Sequence, residues 1–262
     1  DAIAGVVNFI TRDDYQGAEL TVQGAATQHG GGDHYQATLT AGTGSLARDG
    51  YNAFVTVDWQ KDTALYGADR EFSKTAYLPE AGLTDLAFFG VYPANIVAGP
   101  FFLVNPGYAT GCAPPLSLPL PLRNPFGRML DVCQFDYAPQ ASIVPEAERL
   151  NLLARGTWQF APGQQACVEY LLASTRLPIR LAPTPVSRIT DPQGRPAIYP
   201  AGGPYYPTAF AEANDLSGDL QIFYRTMTLG RRLTEVQTLA QRIVVGAQGS
   251  AGHWDYNIAY NH

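Results

Sequence analysis

Four histidines, three cysteines and a scatter of carboxylates are the residues from which a metal or catalytic site would have to be built. His29 and His34 flank Gly30-Gly31-Gly32, and two ligands at a glycine turn read as exposed loop histidines rather than a metal site. His253 and His262 have no partners at ligand spacing. The three glycines are followed by neither a helix pattern nor a lysine, so they are not a phosphate cradle. Thr43-Gly44-Ser45-Leu46 is not a nucleophile elbow, because no Ser/His/Asp set stands in a matching context. Asp13-Asp14, Asp62, Asp69 and Glu71 read as solvated loop and rim charges rather than a calcium site. The expectation is a protein that is not an enzyme and uses no cofactor and no metal. Cysteine chemistry is more informative. Cys112 and Cys133 lie in one Pro-rich insertion, whereas Cys167 falls mid-strand. A Cys112–Cys133 disulfide fits an oxidising compartment and would contribute about 3 kcal/mol. Two free thiols are the alternative.

These residues sit in a chain of unusual balance. Of its 262 residues 15% are charged, against roughly 25% in soluble globular chains. Aromatic residues make up 11%, with 26 Gly and 20 Pro, a mixture suited to strands, tight turns and long loops. A net charge of −6 argues against a general nucleic-acid binder, which needs a basic face. No run of about 18 apolar residues occurs, so no transmembrane helix is expected. Residues 1–12 read as the middle of a fold and Trp254 to His262 as a strand cut short, which predicts a piece of a longer polypeptide.

The dominant pattern has period two. In Ala18-Glu19-Leu20-Thr21-Val22-Gln23, in Tyr35-Gln36-Ala37-Thr38-Leu39-Thr40-Ala41 and in Tyr51 to Gln60, apolar and polar residues alternate, Phe54 being the one exception. Such alternation puts apolar side chains on one face of a strand. Gly30-Gly31-Gly32-Asp33 and Ala47-Arg48-Asp49-Gly50 supply turns, the Asp-Gly pair being a hairpin signal. Residues 17–61 therefore read as a three-strand meander. Alternation resumes at 150–160, turns at Ala161-Pro162-Gly163-Gln164, and returns over Gln165 to Thr175. Thr234 to Gln248, a turn at 249–252, and Trp254 to Asn261 follow. Between these lie two irregular stretches, about 62–145 and 177–233, with one further strand expected at 219–228 and pairing near Arg232.

Short turns alternating with long loops place the turns on one side of a membrane and the loops on the other. Strands of about 9–11 residues match a tilted crossing. Tyr35, Tyr51, Trp59, Trp158, Phe160, Trp254 and Tyr260 fall near strand ends, as interfacial girdles require. The polar face carries Glu19, Asp58, Arg155, Glu169 and Arg242, which suits a wet lumen. The fold class expected is all-β: a partial antiparallel transmembrane β-barrel of about seven strands. A soluble sandwich or barrel shares the period and would turn its apolar faces inward. In the long loops Phe88, Phe89, Tyr92, Phe101, Phe102, Tyr108, Tyr205 and Tyr206 form either an aromatic lip that contacts substrate or a core on which the loops pack.

Asp1-Ala2-Ile3-Ala4-Gly5-Val6-Val7-Asn8-Phe9-Ile10-Thr11-Arg12 closely resembles the segment that ends the plug domain of TonB-dependent outer-membrane receptors. Gly163 to Tyr170 and Gly246 to Tyr256 resemble barrel hairpins of that family in style. The resemblance implies that Gly5, Val6, Val7, Asn8, Phe9, Ile10 and Thr11 are the last plug strand, 13–16 the linker, and 17–262 the first part of a plugged barrel of about 22 strands. It further implies active import of a scarce nutrient, a ferric siderophore by default, across the bacterial outer membrane. The implied partners are the TonB complex, reached through a segment upstream of this chain, outer-membrane lipid and the small nutrient ligand. A passive porin or adhesin barrel is the alternative membrane reading, and a soluble carbohydrate-binding module the alternative outside the membrane.

Overall fold

The computed structural model describes residues 14–87, 89–99, 102–186, 193 and 196–262. The proposed plug-end strand, 5–11, lies outside them. The elements used below, in chain order, are β1 (Gly17–Ala25), β2 (His34–Thr43), α1 (Leu46–Asp49), β3 (Tyr51–Asp62), β4 (Asn95–Gly99), β5 (Phe102–Val104), β6 (Ala147–Ala161), β7 (Gln164–Leu181), β8 (Pro185–Val186), β9 (Ile198–Tyr199), α2 (Thr208–Ala213), β10 (Leu220–Arg225), β11 (Arg232–Ala251) and β12 (Trp254–Asn261).

Seven long strands form one antiparallel sheet in the order β1-β2-β3-β6-β7-β11-β12. The all-β class holds. The edge strands β1 and β12 are not paired with each other among the described residues. Residues directly opposite in an antiparallel pair share a face. The register therefore lines up Leu20, Leu39, Val57, Leu152 and Leu172 in one row across five strands. Ala18, Ala41, Val55, Ala154, Tyr170 and Ile243 form the next row, and Tyr51, Trp158, Ala166, Ala247 and Ile258 another. On the opposite face Thr38, Asp58 and Asn151 share a row, as do Arg155 and Glu169, and Gln159, Gln165, Gln248 and Asn257. One face is thus apolar over most of the sheet up to Trp59, and the other mostly polar. The apolar face is open: Leu20 is 67% exposed and Ile258 68%.

The connections segregate by length. Residues 44–50, 162–163 and 252–253 close one end of the sheet, and 26–33, 63–146 and 182–231 the other. The first of the short links differs from the Asp-Gly hairpin expected. Thr43 and Tyr51 are bridged by a single helical turn, α1, whose C-cap Gly50 takes a left-handed φ of 71°, a conformation glycine adopts at little cost. Strands β7 and β11 run further than the alternation indicated, to Leu181 and from Arg232. Pro178 falls in the stretch 177–233 expected to be irregular. It fits because the pairing of β7 with β6 ends at Arg176, so Pro178 lies beyond the doubly paired part of the strand.

The two insertions are not separate loops. They fold together into a cap with its own core. Strand β10 of the second insertion pairs with β4 of the first, Ile222 opposite Ile96, and also with β8 and β9. It does not form the rim hairpin expected near Arg232. Both faces of β10 are covered. Leu220 and Ile222 pack with Ala94, Ile96 and Ala211 of α2, while Phe223 packs with Leu103, Leu130 and Val132. A third cluster holds Val91, Cys133, Phe135 and Ala182. None of these clusters includes a residue of the seven long strands. Among the described residues no helix is long and apolar enough to cross a membrane.

Candidate functional site

The polar face of the sheet carries a connected set of charges and amides. Asp58 accepts hydrogen bonds from Gln36 (2.7 Å), Thr38 (2.7 Å), Gln60 (2.8 Å) and Asn151 (3.4 Å). Nearer the cap, Asp62 holds His34 at 2.7 Å and Arg149 at 2.6 Å. His34 is therefore a partly buried, paired residue and not the exposed loop histidine expected. Arg155 and Glu169 face each other across β6 and β7 at 3.3 Å, and Arg242 donates to Asn261 at 2.8 Å. The wall residues singled out in the sequence thus share one face; Arg155 and Glu169 neutralise each other, while Asp58 and Arg242 are held by uncharged amide and hydroxyl groups.

At the short-turn end of this face the chain leading into β1 is seated. Asn52 is 2% exposed. Its side-chain amide nitrogen donates to the carbonyls of Tyr15 (2.9 Å), Gly44 (2.8 Å) and Thr43 (3.3 Å), and its oxygen accepts from the Tyr15 N–H (3.2 Å). One buried amide therefore satisfies both backbone groups of Tyr15, which would otherwise cost free energy where water is excluded. Gly42, opposite Phe54, lets the chain approach closely: a Cβ there would collide with the Tyr15 carbonyl oxygen and lie 2.8 Å from Phe54 Cβ. This accounts for Phe54, the one break in the alternation of β3, which is buried beneath that crossing. Beside it, Arg155 Nε and Thr157 Oγ1 are buried without a hydrogen-bond partner. Sequence pattern alone did not reveal Asn52 or Gly42; the sole signal was the anomaly at Phe54.

In the cap, Cys112 and Cys133 form a disulfide with Cα atoms 5.9 Å apart, and Cys167 is free. Arg225, on β10, is the other fastening. Its guanidinium donates to the Gly90 carbonyl (2.6 Å) and the Pro183 carbonyl (2.8 Å) and stacks over the Phe135 ring at 4.0 Å. It thereby joins the first insertion to the second. Burial, with a smaller contribution from Arg232, pushes the Arg225 pKa down to about 10.

The loop aromatics divide. Phe88 and Phe101 lie outside the described residues. Phe89 meets Phe223 edge-on at 4.8 Å and Phe102 packs against the same cluster, with Arg128 5.0 Å over its ring. Tyr206 packs against the α2 side and donates to the Gly218 carbonyl at 2.9 Å. Tyr108 is partly buried in a short 3-10 turn. Tyr92, edge-on to Tyr224 at 6.2 Å, and Tyr205 are exposed. Of the six described, Phe89, Phe102 and Tyr206 pack on the cap core, whereas Tyr92 and Tyr205 present open rings. No group of three or more His, Cys, Asp or Glu poised for a metal occurs among the described residues.

No family model, no curated protein and no solved structure matches this chain.

Proposed function

We propose that this chain is the first part of a plugged outer-membrane barrel that imports a scarce nutrient, by default a ferric siderophore, with energy drawn from the TonB complex. The observation that carries the reading is the two-faced sheet with the chain entering on its polar side. An apolar face with Tyr51 and Trp158 towards one border and Trp59 near the other is suited to hydrocarbon. Eight strand steps from Tyr51 to Trp59 span about 27 Å along the strand, or about 21 Å of height at a tilt of about 40°, against a band about 25 Å tall. A soluble protein leaving this face open would forgo about 1.5–3 kcal/mol for each large side chain not buried. The seat at Asn52 and Gly42 holds Tyr15, two residues before β1, against the polar face, on the side where a plug would lie. The sequence resemblance of residues 1–12 to a plug end supplies the transport reading. The cap then stands outside the cell, where its disulfide is stable.

Two measurements test this. Cysteines placed at Leu39 and Ile258 should react with a lipid-soluble maleimide and resist a membrane-impermeant one, while Thr38→Cys should show the reverse preference. Uptake of labelled ferric siderophores by cells producing the protein should vanish when TonB is deleted. Lipid-face labelling without any TonB-dependent uptake would leave a passive barrel. Equal labelling of both faces by the impermeant reagent would remove the membrane reading altogether.

A further inference from the structure

Beyond Trp59 the apolar face does not simply end. The next row towards the cap is Lys61, Glu148, Arg176 and Gln237, aligned across β3, β6, β7 and β11 on that same face. Arg180 and Glu235 continue it, and Glu146 joins from the segment before β6. Glu146, Glu148, Arg176, Arg180 and Glu235, with Pro178 and Leu233, line a crevice of about 230 Å³. Arg176 holds both carboxylate oxygens of Glu235, at 2.9 and 3.2 Å, and Arg180 holds Glu146 at 3.1 Å. The Trp59 indole N–H donates to Glu148 at 3.1 Å, tying the charged row to the apolar band below it.

We infer that this crevice is a headgroup site for a phosphate-bearing amphiphile that brings its own divalent cation. The inference rests on the membrane reading above, because the site is useful only where acyl chains lie along the apolar face. Two cationic and three anionic side chains line the crevice, so with a net charge of −1 it does not attract an anion at a distance. A bare phosphate would have to displace Glu235 from Arg176 and leave that carboxylate unpaired. A phosphate carrying a divalent cation resolves both demands. The guanidinium fork takes phosphate oxygens in bidentate fashion, and the released carboxylates become oxygen ligands of a hard cation. The acyl chains then run down past Trp59 over Leu150 and Val57, so one molecule matches both the collar and the band.

The test uses the whole protein in neutral detergent and, as probes, diphosphorylated lipid A and the same lipid with its phosphates removed, each with magnesium or with EDTA. Retention is read by native mass spectrometry. Wild type is expected to retain the diphosphorylated lipid in magnesium about tenfold better than the dephosphorylated one, and to lose this preference in EDTA. Arg176→Gln/Arg180→Gln should abolish the preference, while Arg48→Gln, at the far end of the sheet, should leave it intact. Glu235→Gln frees Arg176 and removes a cation ligand, so its retention of the diphosphorylated lipid should persist in EDTA. Equal retention of the two lipids by wild type, indifference to EDTA, or an unchanged preference in the double variant would each overturn the headgroup site while leaving the membrane reading standing. Failure of the protein to enter phosphatidylcholine bilayers would overturn both.

Discussion

Leu39 in β2 and Phe135 in the first insertion belong to one chain and obey opposite rules. Leu39 is 45% exposed, and its row of Leu20, Val57, Leu152 and Leu172 joins none of the buried clusters. Phe135 is 0% exposed, enclosed by Val91, Cys133 and Ala182 beneath the Arg225 guanidinium. Among the described residues, all the buried apolar ones except Phe54 and Ala147 belong to the two insertions. The sheet is therefore held by its hydrogen-bond ladders and by whatever medium wets its apolar face. The cap is held by a packed interior of the kind found in water-soluble domains. The comparison teaches that a period-two pattern fixes which residues share a face but not where that face looks. Evidence for its direction comes from the second region, because a chain able to build a core in the cap leaves the sheet face uncovered.

The comparison breaks most readily at Phe135. Phe135→Ala should destabilise the cap by about 3–5 kcal/mol, seen as a lowered cap transition in calorimetry with the sheet transition unmoved. Next comes the disulfide. Reducing Cys112–Cys133, whose residues are 21 positions apart, should cost the cap about 3 kcal/mol. Denaturant curves with and without reductant would measure it, and a shift of the sheet transition instead would mean the two regions are not separable. A charge on the apolar face is the corresponding test of the sheet. Val57→Arg should cost about 2–4 kcal/mol for folding into bilayers, whereas Thr56→Arg, one residue along and on the polar face, should cost far less. Equal costs would erase the distinction between the faces. The smallest effect is expected at the seat of Tyr15. Asn52→Ala should cost about 1–3 kcal/mol, read most directly as faster hydrogen exchange at the Tyr15 amide, whereas Asn52→Asp keeps an acceptor for that amide but cannot donate to the Tyr15, Thr43 and Gly44 carbonyls, so it should lower stability in denaturant curves with less loss of protection at Tyr15.

Much of the sheet was legible in the sequence because its rule is local. Leu20, Leu39, Val57 and Leu152 could be assigned to one face from their spacing, and the register puts them in one row. The limits were equally physical. Pro178 ended the expected strand early, since proline within a strand is tolerated only where pairing permits. The link at Asp49-Gly50 was misjudged because the same dipeptide closes a hairpin or caps a helical turn. The cap was invisible as a unit. Strand β10 is covered on both faces, so it shows no alternation, and its partners lie far away in the chain. Arg225 gave no sign that it would be buried, because its ligands are backbone carbonyls and its stacking partner Phe135 lies in the other insertion. Of the aromatics, spacing could not separate Phe89, which is core, from Tyr205, which is not.

The Arg225–Gly90 link, spanning 135 positions, also sets an order of assembly. The first insertion leaves the synthesis machinery with β4 unpaired by β10 and with Phe135 still lacking Arg225. Nothing can complete it until the second insertion follows. Non-local pairing of this kind is slow to form and leaves sticky intermediates exposed in the meantime. Between those two moments β6 and β7 are made, and their thirteen-odd paired positions bring the roots of the two insertions to adjacent places. The hairpin thus acts as a matchmaker. It shortens the effective loop that must close, and so lowers the entropic barrier to uniting the halves of the cap. A nascent chain stopped before residue 220 would carry an unfinished sheet edge, and holding chaperones would be expected to recognise the protein at that stage.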